Sequence, residues 1–275
     1  MELKRKLNNI IDAYKATKMI PITHVVSAAK EFEGKVALIS GGSGGIGLSI
    51  AKSLMESGCK VIIAGTNEKK IMKLIDELNT EKCKMLQIDY NLPDILEEKI
   101  TEASKLFGKI DIFINSVGIH TENANLWSIT PIEFDRVMNI NLKGTFFACK
   151  AIGKYMIQNR ISGYILIISS SRDSEPAWSP YGISKWGLKG LTEGLAKTLL
   201  PYGIAVNAIS PGATATGLIG IRDGDSIYAE ENGLHRYIMP DEVANIAKLL
   251  VSDAGKMVVG ETIHISGGRG VFDIR

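Results

Sequence analysis

Tyr181 and Lys185 stand four residues apart in the run Tyr-Gly-Ile-Ser-Lys. On a helix that spacing puts both side chains on one face, one turn apart. The chemistry open to such a pair is proton transfer. A free phenol titrates near pH ~10, too high to serve at neutrality, but an ammonium a few Å away favours the phenolate. The pair is then expected to be a proton donor or acceptor tuned toward neutral pH. The same spacing also arises by chance on ordinary helices, so its meaning depends on the elements that position it.

Those elements alternate. Short apolar runs occur at Val36-Ala37-Leu38-Ile39, Val61-Ile62-Ile63-Ala64, Met85-Leu86-Gln87-Ile88, residues 110–114, 164–168 and 204–209, with a last one at Thr262-Ile263-His264-Ile265. Helical patterns lie between them: Ile46 to Ser57, Asn67 to Asn79, a segment from about Asp94, Pro131 to Gln158, a stretch through the Tyr-Lys pair to Leu200, and Pro240 to Val251. Strands alternating with helices imply βαβ units and a parallel sheet covered on both faces. The expected fold is therefore α/β: one doubly wound parallel sheet of the Rossmann type with helices on both sides. In such sheets ligands bind at the carboxyl ends of the strands.

After the first strand comes Ser40-Gly41-Gly42-Ser43-Gly44-Gly45-Ile46-Gly47, which then opens a helix. Glycines let a backbone approach a pyrophosphate, and the helix N-terminus offers unpaired amides and a positive dipole end. Gly42, Gly44 and Gly47 fit the common dinucleotide spacing; Gly41, Gly45 and Gly47 fit a second one. After the second strand, Thr66 and Asn67 replace the carboxylate that usually binds the ribose hydroxyls of NAD. No arginine is there for a 2′-phosphate either, and the balance leans to NADP over NAD. Asp89 and Tyr90 follow the third strand, placed to meet an adenine; an acid there also caps turns. Asn115-Ser116-Val117-Gly118 follows the fourth, where small residues let the chain pass beside a cofactor. Ser169, Ser170 and Ser171 follow the fifth, and any of them could bind the same substrate oxygen as the phenol. Pro211, Gly212, Thr214 and Thr216 follow the sixth, on the nicotinamide side.

The composition is that of an ordinary globular chain: 275 residues, 45% hydrophobic, 23% charged, formal net charge +2. That balance gives no electrostatic footprint for nucleic acid, and no apolar run approaches the ~20 residues of a membrane span. Cys59, Cys83 and Cys149 are scattered and form no Cys-x-x-Cys pair, so neither a disulfide framework nor a metal site is expected. A cytoplasmic protein is expected. Residues 1–34 read as a separate helical extension: Leu3, Leu7, Ile10, Ile11 and Tyr14 recur at helical spacing before Pro21. Residues 35–275 form the dinucleotide-binding catalytic domain.

Taken together these segments resemble the short-chain dehydrogenase/reductase family over about residues 35–268. SGGSGGIG at 40–47 is similar to its cofactor loop, with Ser40 where threonine is usual; NSVG at 115–118 resembles NNAG; NINLKGTFF at 139–147 resembles the asparagine segment; IISS at 167–170 resembles the serine segment; YGISK matches the Tyr-x-x-x-Lys motif; SPGATAT at 210–216 resembles the Pro-Gly-x-x-x-Thr segment; and GETIHISGG at 260–268 resembles the terminal strand. The resemblance implies NAD(P)-dependent interconversion of a carbonyl and a secondary alcohol by hydride transfer. It implies Tyr181 as acid/base, Ser170 bonding the substrate oxygen, Lys185 aiding the tyrosine and holding the nicotinamide ribose, and Asn141 fixing a water that relays protons to Lys185. It also implies a cofactor site of Gly41, Ser43, Gly45, Ile46, Gly47, Thr66, Asn67, Asp89, Tyr90, Asn115, Gly118, Tyr181, Lys185, Pro211, Gly212, Thr214 and Thr216. A homo-oligomer, tetramer or dimer, built on the helices around 131–158 and 180–200 is expected, with Gly144, Gly153, Gly187 and Gly190 permitting close helix contact. The loop from Ser170 to Tyr181 is about two residues shorter than usual, and Arg172, Asp173, Glu175 and Trp178 are expected at the substrate mouth. Residues 214–239, with Tyr228, His235 and Arg236, are expected to form a lid. A non-catalytic cofactor-binding regulator or structural subunit is the alternative.

Overall fold

The computed structural model describes residues 31–122, 125–221, 225–230 and 232–268. The expected N-terminal helix falls on residues 1–30, outside the described residues. Where the description starts, Phe32 is buried and its amide donates to Ser57 O at 3.0 Å. The end of the expected extension is thus packed into the hydrophobic core of the sheet-bearing body.

Seven strands form one parallel sheet in the order β3-β2-β1-β4-β5-β6-β7. They are β1 (Val36–Ser40), β2 (Lys60–Gly65), β3 (Cys83–Gln87), β4 (Ile112–Asn115), β5 (Tyr164–Ile168), β6 (Ala205–Pro211) and β7 (Thr262–Ile265). The central strands β1, β4, β5 and β6 are buried along their whole length, which is why they read as unbroken apolar runs rather than alternating ones. Helices α1 (Gly45–Glu56), α2 (Glu68–Leu78), α3 (Leu96–Phe107), α4 (Pro131–Met138), α5 (Thr145–Gln158), α6 (Pro180–Leu199) and α7 (Pro240–Leu250) connect and cover them. One core lies under α1 and α7, built on Ile39, Ile50, Leu54, Ile63 and Val243. The other lies under α3, α5 and α6, built on Leu38, Ile100, Phe113, Ile152 and Leu188.

The chain reverses its order between β1 and β4, whose last residues Ser40 and Asn115 are register partners. That reversal opens a crevice at the carboxyl edge, where a doubly wound sheet binds ligands. The expected long helix over 131–158 is interrupted: residues Asn139–Gly144 between α4 and α5 form a π-helical turn. Such turns are frequent at functional sites, and this one carries Asn141.

Candidate active site

A cavity of about 860 Å³ occupies that crevice. It lies near the top of the ~300–1,000 Å³ range of small-molecule and cofactor pockets. On one side the turn after β1 enters α1. Gly41 has φ +74°, and a Cβ there would stand 2.5 Å from Ser116 O, so only glycine fits. Gly44 caps α1 without a side-chain hydrogen bond, and the first turn of α1 has no acidic residue. The helix amides are left for an anion, and the turn fits the pyrophosphate of a dinucleotide.

Most of the expected cofactor residues line this cavity: Gly41, Ser43, Gly45, Ile46, Thr66, Asn67, Asp89, Tyr90, Gly118, Tyr181, Lys185, Pro211, Gly212, Thr214 and Thr216. Three of the expected catalytic and cofactor residues, Gly47, Asn115 and Asn141, are not in its lining. Gly47 packs against the turn itself, where a Cβ would meet Gly41 O at 2.5 Å. Asn115 lies beneath the floor: its Nδ2 donates to Thr145 Oγ1 at 3.0 Å, and its Oδ1 accepts from Tyr90 Oη at 2.8 Å. The Tyr90 hydroxyl is therefore turned inward, away from an adenine. Asp89 folds its own turn, accepting from the Asn91 amide at 2.9 Å. Asn67 Oδ1 caps α2 by accepting from Lys70 N at 2.9 Å.

The reacting side is built by α6. Ser179 caps this helix and Pro180 begins it, so the first turn is fixed where Tyr181 sits. Lys185 Nζ lies 5.6 Å from the Tyr181 ring centroid and donates to Ile168 O at 3.2 Å. Among the three serines, Ser170 is the one that pulls the Tyr181 pKa down, and its Oγ accepts from Arg172 N at 3.3 Å. All three line the cavity; Ser169 Oγ is buried without a hydrogen-bond partner among the described residues, and Ser171 starts a 3₁₀ turn, Ser171–Asp173, in which Ser171 and Asp173 are buried. Asn141 is fully buried; its Oδ1 accepts from Ile119 N and its Nδ2 donates to Ile119 O, both at 2.9 Å, and to Ser184 Oγ at 3.2 Å.

The phenol is not tuned toward neutrality as the spacing alone suggested. Burial raises the Tyr181 pKa, while Ser170 and Arg172 pull it down and Asp173 pushes it further up. Burial also brings Lys185 down to about 8, against an opposing pull from Asp173. Desolvation is the largest cause of the shift in both members of the pair.

The short loop after Ser170 does not present all four expected side chains to the mouth. Arg172 lines the cavity and pairs with Glu175 at 2.6 Å. Asp173 turns inward and is fully buried, and Trp178 is outside the lining. The expected lid contributes Thr214, Thr216, Leu218 and Ile219. Tyr228 and His235 instead stack on each other at 6.4 Å, and Arg236 pairs with Glu242 at 2.7 Å. Among the lining residues that escaped the sequence reading are His120 and Lys70. His120 stacks on Tyr181 with ring centroids 4.2 Å apart; burial, then the charges of Lys185 and Arg172, lower its pKa, so the ring is neutral at pH 7. Lys70 joins Thr66 and Asn67 at the end of β2; its place on the first turn after an asparagine cap was the available signal.

The family described as enoyl-(acyl carrier protein) reductase matches residues 41–269. A 3-oxoacyl-(acyl-carrier-protein) reductase of Aquifex aeolicus is 33% identical over 247 residues, covering 86% of this chain and 98% of the relative. The chain belongs to the short-chain dehydrogenase/reductase family. A mitochondrial borneol dehydrogenase of Lavandula x intermedia is also 33% identical, over 89% of this chain and 93% of its own. Among solved structures, the 3-ketoacyl-(acyl-carrier-protein) reductase of Brucella melitensis complexed with NADH is 28% identical, with TM-score 0.78 over 87% of this chain and 99% of that one. A gluconate 5-dehydrogenase of Burkholderia cenocepacia in complex with NADP and tartrate is also 28% identical, with TM-score 0.81 over 90% and 99%. This short-chain dehydrogenase/reductase is an NAD(P)-dependent oxidoreductase that interconverts a carbonyl and a secondary alcohol by hydride transfer. Among the described residues no helix is long and apolar enough to cross a membrane, and no group of His, Cys, Asp and Glu side chains could hold a metal ion.

Proposed function

We propose that Tyr181 is the acid/base of this hydride transfer, with Ser170 beside it on the substrate oxygen. The bound nicotinamide supplies the hydride. In reduction Tyr181 protonates the forming alkoxide, and the Ser170 hydroxyl donates to the same oxygen. Lys185 holds the nicotinamide ribose and, when charged, favours the phenolate. Asn141 braces the turn at Ile119 and, through the water expected of it, links Lys185 to solvent. The observation that carries the reading is that Ser170, Tyr181 and Lys185 line one cavity, with Lys185 Nζ 5.6 Å from the Tyr181 ring centroid. Tyr181→Phe should abolish turnover against a carbonyl panel while NAD(P)H affinity stays within about twofold; substantial remaining turnover would sink it.

The lean to NADP gains support from Lys70, a cation beside Thr66 and Asn67 where no carboxylate stands among the lining residues of β2 and its turn. The substrate is a small carbonyl compound or alcohol. The names of several relatives make a 3-oxoacyl thioester the first member of the panel to try. The helical face of α5 and α6 is the proposed subunit interface. A groove there of about 430 Å³ is lined by Leu142, Phe146, Phe147 and Leu191 among others, and Phe146 and Trp186 are each 45% exposed. Of the small residues expected to serve it, Gly144, Gly153 and Gly187 pack inside the chain against Tyr90, Leu199 and Leu142, while Gly190 faces open space. The expected division into an extension 1–34 and a catalytic domain 35–275 is not sharp at its end, since Phe32 packs in the core, and the part before it is proposed to add to this interface. A mass measurement with and without residues 1–30 tests it, and an unchanged oligomer excludes a necessary role. A cytoplasmic location is supported by three buried free cysteines.

A further inference from the structure

Asp173 follows Ser170 by three residues and is 0% exposed. A buried carboxylate is costly unless it is paired and hydrogen-bonded. Here its Oδ2 accepts from Ser210 Oγ, while its Oδ1 takes Ser174 Oγ at 3.0 Å and His264 Nε2 at 3.1 Å. Its amide donates to Ser170 O at 2.9 Å. Ser174 Oγ also stands 2.8 Å from His264 Nε2. An ionised carboxylate only accepts, so the Nε2 facing it carries a proton. Both partners meet the same ring nitrogen, so the cluster lacks the relay order of a nucleophilic triad, in which base and orienter use opposite nitrogens. What it does is join three strands. Ser170 follows β5, Ser210 lies in β6 and His264 in β7.

We infer that Asp173 is a positioning residue for the reaction: gripped by His264, Ser174 and Ser210, it pins the turn that carries Ser170 and holds a buried carboxylate behind the reacting side of the cavity. The charged and titratable groups around it are Tyr181 and Lys185 on α6, His120 after β4, Arg172 and Glu175 on its own loop, and His264 on β7. Arg172 and Glu175 offset each other in an ion pair, and His120 is neutral. Asp173 acts on both members of the acid/base pair in one sense: it favours the protonated lysine and the protonated phenol. That sense matters, because it opposes the burial that lowers the Lys185 pKa. The inference rests on the acid/base reading of Tyr181 and Lys185.

Asp173→Asn and Asp173→Ser remove the charge, the first with almost no change in shape. The tests are kcat and KM across about pH 6 to 10 with the carbonyl reduced fastest in the panel, and NAD(P)H affinity by nicotinamide fluorescence over the same range. Both variants should move the alkaline midpoint to lower pH in the two measurements. The asparagine variant should lower kcat about tenfold with KM within about twofold. His264→Gln, which keeps a donor, should recover most of the activity that His264→Leu loses. Midpoints that stay in place, or failure of both Asp173 variants to fold, would reduce Asp173 to a structural residue and overturn the inference. Tyr181→Phe that still turns over would sink the acid/base reading instead, and the pH dependence of cofactor affinity, read through Lys185, would still report on Asp173.

Discussion

The two sides of the cavity are held by different physics. The phosphate side is a matter of shape: Gly41 and Gly47 bring backbone to backbone at distances that leave no room for a Cβ. The proton-transfer side is a matter of charge: Lys185, Asp173 and Asn141 are buried, and each is satisfied by polar partners drawn from other elements. Substitutions on the first side should therefore act through fold and fit. Those on the second should act through protonation while the fold survives.

Lys185→Met is the sharpest attempt to separate the two. It should cost about 10³-fold in kcat, equivalent to about 4 kcal/mol of barrier. Stability should hold or rise. The Lys185 pKa falls from 10.5 in its ordinary state to about 8 in the fold. Below about 8 both folded and unfolded chains carry the proton, and the buried charge counts against folding. Between about 8 and 10.5 the unfolded chain binds more protons, so stability from this group rises with pH. At ~1.36 kcal/mol per unit the effect is on the order of 3 kcal/mol. The methionine variant should lack that rise in denaturant unfolding measured across the window. A variant that unfolds more easily at pH 7 would mean Lys185 is a structural residue, and the contrast between the two sides would fail.

Gly41→Ala tests the opposite side. The new methyl would meet Ser116 O at 2.5 Å in a backbone with φ +74°. Strain and overpacking together should cost about 3 kcal/mol, read as a melting point lower by roughly 6–12 °C. Cofactor affinity should fall with it, and the midpoint of the pH profile should not move. A shifted midpoint would show that the two sides are electrostatically coupled.

The two sides also differed in how far the sequence exposed them. The fully buried central strands stood out as apolar runs, and the glycine turn is local in the chain, so both were legible. Tyr181, Lys185 and the serine cluster 169–171 were legible because one helix and one strand end place them at the cavity. The grip on Asp173 was not: Ser210 and His264 lie 37 and 91 residues away, and nothing local marks them as partners. Asp173 therefore read as a mouth residue when its side chain points into the protein. Asn115 was hidden in the same way: it lies outside the cavity lining and accepts from the hydroxyl of Tyr90, which lines it. The sign of the Tyr181 shift was missed because spacing reveals a neighbouring charge but not the burial that opposes it. The π turn at 139–144 was hidden inside a pattern with ordinary helical periodicity.

The smallest effect is expected at Lys70, which stands at the far end of the cavity and belongs to neither side. It is a surface cation on the first turn of α2, with its amide bound by Asn67 and its side chain at the cavity wall. If the adenosine end takes a 2′-phosphate, Lys70→Glu replaces an attraction by a repulsion there, and NADPH affinity should fall about tenfold, close to 1.4 kcal/mol. NADH carries no 2′-phosphate, so its affinity should change by less than about twofold. Raising the salt should shrink the difference, because an exposed charge is screened over ~8–10 Å. Equal losses for the two cofactors would place Lys70 at the shared pyrophosphate, and a wild-type preference for NADH would reverse the lean to NADP.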